Sequence, residues 1–303
     1  MTMPTVPRVA MTANGPALSA IVAGVWRMAE WQMDVQARIR WIEECLALGI
    51  TSFDHADIYG DYQVESLFGA TLAAEPGLRE RMQLVTKCGI KLVSAHRPEH
   101  AIKSYDTSPQ HVIASVHRSL RELHTDRIDL LLIHRPDALT DPDALAAAFG
   151  TLRDAGKVLH VGVSNHAPSQ LALLQRRFPV ATNQIEFSPL HLAPLSDGTL
   201  DQCVDLGMRP MIWSPLAGGR LVTSNAEPVR RVRAVLEALG TEFGVSAVTV
   251  AYAWLLRHPS QPVPITGSRR VAALRDAVAA LGVRLSAESW YRIWEAGAGH
   301  SVP

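Results

Sequence analysis

The strongest constraint on the fold is an alternation. Short apolar runs of strand length exchange with helical periodicity along almost the whole chain. The strand-like runs are 19–26 (SAIVAGVW), 50–56 (ITSFDHA), 82–89 (MQLVTKCG), 128–135 (IDLLLIHR), 159–165 (LHVGVSN), 181–187 (ATNQIEF), 209–216 (RPMIWSPL) and 263–268 (VPITGS). Helical patterns fill the gaps, at 33–49, 62–74, 108–123, 141–155, 168–177, 197–206, the pair 228–244 and 246–258, and 270–281, with a last one at 286–296. Gly49 stops the first helix, and Ser108 with Pro109 starts the third. A strand, a helix and another strand imply parallel pairing, because the helix returns the chain to the same end of the sheet. Eight such units in 303 residues fit a closed (β/α)8 TIM barrel, for which roughly 250 residues is typical. No linker or composition shift divides the chain, so residues 1–303 read as a single α/β domain. An open doubly wound sheet would carry G-x-G-x-x-G after a strand. The chain has neither that turn nor a G-x-x-x-x-G-K-[ST] phosphate loop.

Charge and cysteine content narrow the partners. Lys plus Arg balances Asp plus Glu at 29 each, which points away from nucleic acid and anionic membranes. No apolar run approaches the roughly 18 residues of a membrane span. The first residues, MTMPTVPRVAMTANGPALS, lack a basic start followed by an apolar core, so no secretion signal is expected. Cys45, Cys88 and Cys203 are far apart and form no disulfide framework, which suits a reducing, cytoplasmic setting. The N-terminal 18 residues are expected to form a hairpin closing the barrel bottom. The poorly periodic stretch 91–107 is expected to be a long loop near the active face.

In such a barrel the reacting groups sit at the C-terminal strand ends. Asp54 ends the second strand and Tyr59 follows five residues later. Lys87 ends the third strand and His134 the fourth. Taken singly, each has an ordinary structural role: a turn aspartate, a packed phenol, a snorkelling lysine, a hydrogen-bonded core histidine. Four polar groups on consecutive strand ends make one site the better account. An ammonium beside a tyrosine favours its phenolate, so Lys87 is expected to lower the Tyr59 pKa from near 10, with Asp54 orienting Lys87. With His134 bonding the reacting oxygen, the set suits protonating an oxygen as it becomes an alkoxide. Carbonyl reduction with hydride from a nicotinamide is the matching reaction. His55 should face away from Asp54 on the strand, and Asp57 reads as a turn residue.

The ordered segments DHADIYG (54–60), VTK (85–87), IDLLLIHRPD (128–137), GKVLHVGVSN (156–165), TNQIE (182–186), WSPLAGGRL (213–221) and PITGS (264–268) resemble the aldo-keto reductases over nearly the whole chain. DHADIYGDYQ, KCGI, LLLIHRPD and TNQIE particularly resemble its bacterial YdhF-like branch. The resemblance implies a (β/α)8 reductase using NADP(H) on a small-molecule carbonyl. Its catalytic tetrad falls on Asp54, Tyr59, Lys87 and His134, with Tyr59 as proton donor. It implies that Ser164, Asn165 and Gln184 hold the nicotinamide amide, and that Trp213 stacks on the ring where the family usually has tyrosine. Gly24, Val25 and Trp26 would adjoin the nicotinamide, and Trp26 and Arg27 the substrate. The backbone of Ser214, Pro215, Leu216, Ala217, Gly218, Gly219 and Arg220 would wrap the pyrophosphate. Thr266 and Gly267 lead to Ser268, Arg269 and Arg270, which would hold the 2′-phosphate, with Arg275 near the adenine. Ala272, Ala273 and Asp276 or Ala277 depart from the family's longer polar groups there, and solvated arginines at a helix start are the plainer alternative.

HRPEH (96–100) matches a metalloprotease pattern, but Pro98 interrupts the helix that pattern needs, and no metal is expected. Two other readings compete with the reductase. One is a nucleotide-sensing protein on the same barrel with slow turnover, a role that potassium-channel β subunits of this superfamily illustrate. The other is an unrelated barrel enzyme such as a sugar-phosphate isomerase. Oligomeric state and the carbonyl's identity are open at this level.

Overall fold

The computed structural model describes residues 5–302. An antiparallel hairpin, β1 (Arg8–Ala10) and β2 (Ala17–Ser19), precedes the first barrel strands β3 (Val22–Gly24), β4 (Ser52–Asp54) and β5 (Gln83–Cys88). A second small hairpin, β6 (Ile90–Lys91) and β7 (Ser104–Tyr105), interrupts the series. The barrel then continues through β8 (Ile128–Ile133), β9 (Val158–Ser164), β10 (Val180–Glu186), β11 (Met211–Trp213) and β12 (Val263–Thr266). All eight barrel strands are parallel, and β12 pairs back onto β3 through Ile265↔Val22 and Thr266↔Ala23. The expected closed barrel is therefore present. No single helix among the described residues is long and apolar enough to cross a membrane.

Alternation along each strand sorts its residues. Val22, Val85, Leu130, Leu132, Ala181, Met211, Val263 and Ile265 fill the barrel, and Met11 and Leu18 at the N-terminal hairpin join them. The Arg209 amide, just before β11, donates to the Met11 carbonyl, which fixes that hairpin at the bottom. The opposite faces pack on the helices: Phe53 and Leu84 meet Trp41, Ile42 and Phe68, while Leu131, Ile133, Val161 and Val163 meet Val112, Val116 and Phe149. Two residues beyond the interior Val22, Val85, Leu132 and Met211 stand Gly24, Lys87, His134 and Trp213. The period that builds the apolar interior thus aims these four at its upper end.

The helices start where short polar side chains can take free amides. Asp34 accepts from the Ala37 amide, Ser108 from His111 and Ser286 from Ser289. Three elements are shorter than the sequence pattern suggests. Of 19–26 only Val22–Gly24 joins the barrel, because Ser19 belongs to the hairpin. Of 209–216 only Met211–Trp213 is strand, because Ser214 and Ala217 both turn left-handed at φ 52°. The helix expected over 62–74 begins at Val64, since Gly60, Asp61 and Tyr62 all have positive φ. The 91–107 stretch folds over the top of the barrel and brings Leu92, Lys103 and Tyr105 to the wall of the main cavity.

Candidate active site

Lys87 is fully buried at the upper end of the barrel. An ammonium can only donate hydrogen bonds. Lys87 Nζ donates to both Asp54 carboxylate oxygens, each at 2.8 Å, to the His55 carbonyl at 2.7 Å and to the Tyr59 hydroxyl oxygen at 2.9 Å. Asp54 Oδ1 also accepts from Gln184 Nε2 at 2.8 Å. Because the Tyr59 oxygen accepts from Lys87, its own proton must point elsewhere, and Tyr59 borders an open cavity. His134 borders the same cavity, edge-on to Tyr59 with ring centroids 5.9 Å apart. His134 Nδ1 is buried with no hydrogen-bond partner among the described residues.

The protonation states follow from this packing. Burial pushes the Tyr59 hydroxyl up to about 12; Lys87 pulls it down, but Asp54 opposes that pull. The expectation of a lowered Tyr59 is therefore corrected: the ammonium acts in the expected direction, but the loss of water outweighs it. Burial pulls the Lys87 ammonium down, yet Asp54 and Tyr59 more than offset this and hold it above its ordinary value. Burial, then Lys87 and Arg135, keep His134 well below the usual imidazole range. At neutral pH the cavity wall thus holds a protonated phenol, a buried ammonium behind it and a neutral imidazole beside it.

Two neighbours of Asp54 differ in how they were legible. His55 points outward as expected, its ring 4.5 Å from Phe68, and burial followed by Lys87 pulls it to about 3. Asp57 lies in a turn, as expected. It is buried, and burial together with Glu65 holds its carboxyl well above the ordinary range.

The cavity has a volume of 970 Å³ and runs from Tyr59 and His134 across the upper ends of β9 to β12. Ser164, Asn165, Gln184 and Trp213 meet along it. Asn165 Nδ2 donates to Ser164 Oγ at 2.7 Å, and Trp213 Nε1 donates to Asn165 Oδ1 at 2.9 Å. Ser214, Pro215, Leu216, Gly218 and Gly219 continue the wall, followed by Thr266, Gly267, Ser268 and Arg270. Ala217 lies behind the wall, its carbonyl accepting from Arg220 Nε at 3.0 Å. Gly24 lies on the floor, where an added Cβ would meet Ile265 Cγ2 at 2.7 Å. Trp26 and Arg27 border the mouth; Arg27 Nη2 reaches the Gly218 carbonyl at 3.2 Å.

Five residues expected at the cofactor lie off the cavity wall, Ala217 among them. Strand alternation turns Val25 into the helix-facing core. Arg220 is tied to its own turn. Arg269 Nη1 donates to the Trp31 carbonyl at 3.3 Å, and Arg275 lies 3.6 Å from Glu44. Conversely, Ile58, Leu92, Lys103, Tyr105, Arg135 and Tyr252 border the cavity without having been singled out from sequence. Arg135 carried a usable signal, its place directly after His134. Tyr252 carried none, because its helix position gives no hint that it packs beside Thr266. In the HRPEH stretch, His96 Nδ1 faces Asp61 at 3.1 Å, while His100 Nδ1 faces the Leu92 carbonyl at 3.1 Å. Their rings serve different partners.

Comparison with known proteins bears on this arrangement. The sequence profile described as "Aldo/keto reductase family" matches residues 20–298. Oxidoreductase YdhF of Escherichia coli (strain K12) is 47% identical over 301 residues, covering 98% of this chain and 100% of that protein. A 6-dehydroglucose reductase of Agrobacterium fabrum is 41% identical, covering 94% of this chain and 96% of that protein. Among solved structures, a glycerol dehydrogenase from Gluconobacter oxydans superposes with a TM-score of 0.82 at 23% identity, over 99% of this chain and 97% of that one. That last likeness is one of fold.

Proposed function

The chain belongs to the aldo/keto reductase family of oxidoreductases, and from that premise we propose that it reduces an aldehyde or ketone to an alcohol with NADPH, Tyr59 giving the proton. The observation that carries this reading is the placement of Lys87, which donates to Asp54 and to the Tyr59 oxygen at once while wholly buried. The residues along the cavity suit a dinucleotide. Its volume is at the upper end of the roughly 300–1,000 Å³ usual for ligand sites. One end offers the amide side chains of Asn165 and Gln184 beside the Trp213 ring. The middle offers a turn with left-handed Gly218 and Gly219, where backbone amides can approach a phosphate closely. The far end offers Ser268 and Arg270.

When bound, the nicotinamide supplies the hydride to the carbonyl carbon. The protein's part is the oxygen. Tyr59 donates its proton to the carbonyl oxygen as that oxygen gains charge, and the C=O becomes CH–OH. Lys87 stabilises the phenolate left behind, at a contact already 2.9 Å long. Asp54 keeps Lys87 charged and aimed. Neutral His134, on the same cavity wall, would donate a ring N–H to that carbonyl oxygen and so orient the carbonyl beside Tyr59. Ser268 and Arg270 bind the 2′-phosphate, which favours NADPH over NADH.

The test is NADPH consumption by the purified protein with a panel of aldehydes and diketones, with cofactor binding followed by tryptophan fluorescence. Carbonyl-dependent oxidation is the expected result. Tyr59→Phe is expected to lower kcat by about 100-fold or more while still binding NADPH. Turnover by that variant at the parent rate would remove Tyr59 from the proton step. Absence of binding by either nicotinamide cofactor would overturn the reading.

A further inference from the structure

The cavity wall holds a cation that this reduction does not use. Arg135 follows His134 at the end of β8 and borders the cavity. Its guanidinium carbon lies over the Trp213 ring, 5.6 Å from the centroid. Its charge acts on both Tyr59 and His134. Among the described residues it has no ion-pair partner and donates no side-chain hydrogen bond. The carboxylates along the cavity are engaged or lie elsewhere. Asp54 holds Lys87, Asp61 faces His96, and Glu30 sits on the Met28–Trp31 turn beyond Arg27.

A guanidinium carries five N–H donors in a planar fork and keeps its charge. Over the Trp213 ring, in a cavity whose wall also carries Tyr105, Ile58 and Leu92, those donors make no hydrogen bond among the described residues. Such a group is costly to leave unpaired as a ligand displaces water from the cleft, and it matches a carboxylate with two parallel bonds. We propose that Arg135 is a specificity-determining residue and that the substrate is a carbonyl compound carrying an oxyanion, such as a carboxylate, which Arg135 grips while Tyr59 and His134 hold the C=O. The inference rests on the reductase reading and adds the substrate's charge to it. It also places the second anchor on the His134 side of the cavity, away from the turn around Gly218.

The experiment compares matched probes on the protein, on Arg135→Gln and on Arg135→Lys: succinic semialdehyde against its methyl ester, and 4-carboxybenzaldehyde against methyl 4-formylbenzoate. The expected result is a higher kcat/KM for at least one acid over its ester. In Arg135→Gln that acid-to-ester ratio is expected to fall about tenfold or more, through KM of the acid, and Arg135→Lys is expected to keep part of it. NADPH affinity is measured on each variant. An unchanged ratio, or a loss traced to weaker NADPH binding, overturns the proposal. Binding of benzoate against benzamide, read by tryptophan fluorescence, separates the two ideas. If no carbonyl is reduced but benzoate binding depends on Arg135, the reductase reading fails and the oxyanion site stands. If carbonyls are reduced but acids and esters are treated alike, the reverse holds.

Discussion

At the scale of single residues, the central feature is a buried charge whose value depends on its surroundings. Lys87 and Asp54 leave water together, so removing one strands the other. Lys87→Met is expected to cost about 3–5 kcal/mol of stability by leaving the Asp54 carboxylate uncompensated, measurable by urea unfolding. Asp54 and Lys87 changed together should cost less than the two single costs summed, because the pair is coupled. The Tyr59 hydroxyl, raised to about 12 by burial, gives a second prediction. Its folded value lies above its unfolded value near 10, so the folded state holds this proton more tightly. The associated stability is present below about pH 10 and is lost as pH rises towards 12. Tyr59→Phe should remove that part of the alkaline decline, read as the difference in Tm between parent and variant from pH 9 upward. For the reaction itself, the proton stays on Tyr59 through neutral pH, so the rate of reduction should show no loss from phenol ionisation between about pH 7 and 9.

At the scale of elements, polar groups and close backbones fix how the helices seat on the barrel. Glu65, on the helix Val64–Ala74, accepts from Thr86 Oγ1 of β5 at 2.5 Å and from Ser119 Oγ of the helix Pro109–Glu122 at 2.8 Å. Burial raises its carboxyl to about 7, with the two hydroxyls working against that rise. The folded value exceeds the unfolded one, so stability falls as pH climbs from about 4.5 to about 7. Glu65→Gln should flatten that slope, seen as a Tm difference that grows in the variant's favour from pH 5 to pH 8. Four residues on in the same helix, a Cβ at Gly69 would run into the Glu122 carbonyl. Gly69→Ala is expected to cost about 1–3 kcal/mol, since backbone moves less readily than a side chain. The elements themselves were largely legible in sequence. Strand and helix periods follow from burial, and Asp54, Lys87 and His134 fall where a run of apolar residues ends. What was not legible depends on three-dimensional context. Asp57 looks like an ordinary turn residue, yet it is buried. Arg275 looks free in sequence, but a carboxylate 231 positions earlier lies beside it, Glu44. The Tyr59 hydroxyl shift changed sign because sequence shows neighbours in charge but not the loss of water.

At the scale of the whole molecule, the cavity spans strands from both halves of the barrel, so cofactor binding should report on global stability. At a concentration of 100 Kd, NADPH is expected to add about 2.7 kcal/mol, which for a chain of this size raises Tm by about 4 °C. NADH at the same concentration should give a smaller shift, and Arg270→Gln should bring the two together. The three cysteines are buried, and burial raises the thiols of Cys45, Cys88 and Cys203 well above their ordinary range. Thiol labelling at neutral pH should therefore track unfolding, and NADPH should slow it. The closure of β12 onto β3 has a further consequence, in the order of synthesis. A ribosome delivers Asp54, Tyr59, Lys87 and His134 by residue 134, but the strand that completes the ring starts only at Val263. Until then the nascent sheet has two open edges, each able to pair with another chain. A polypeptide stalled between those two points would carry all four of these residues on an unclosed surface, making translation through the last barrel strand the interval in which chaperones matter most.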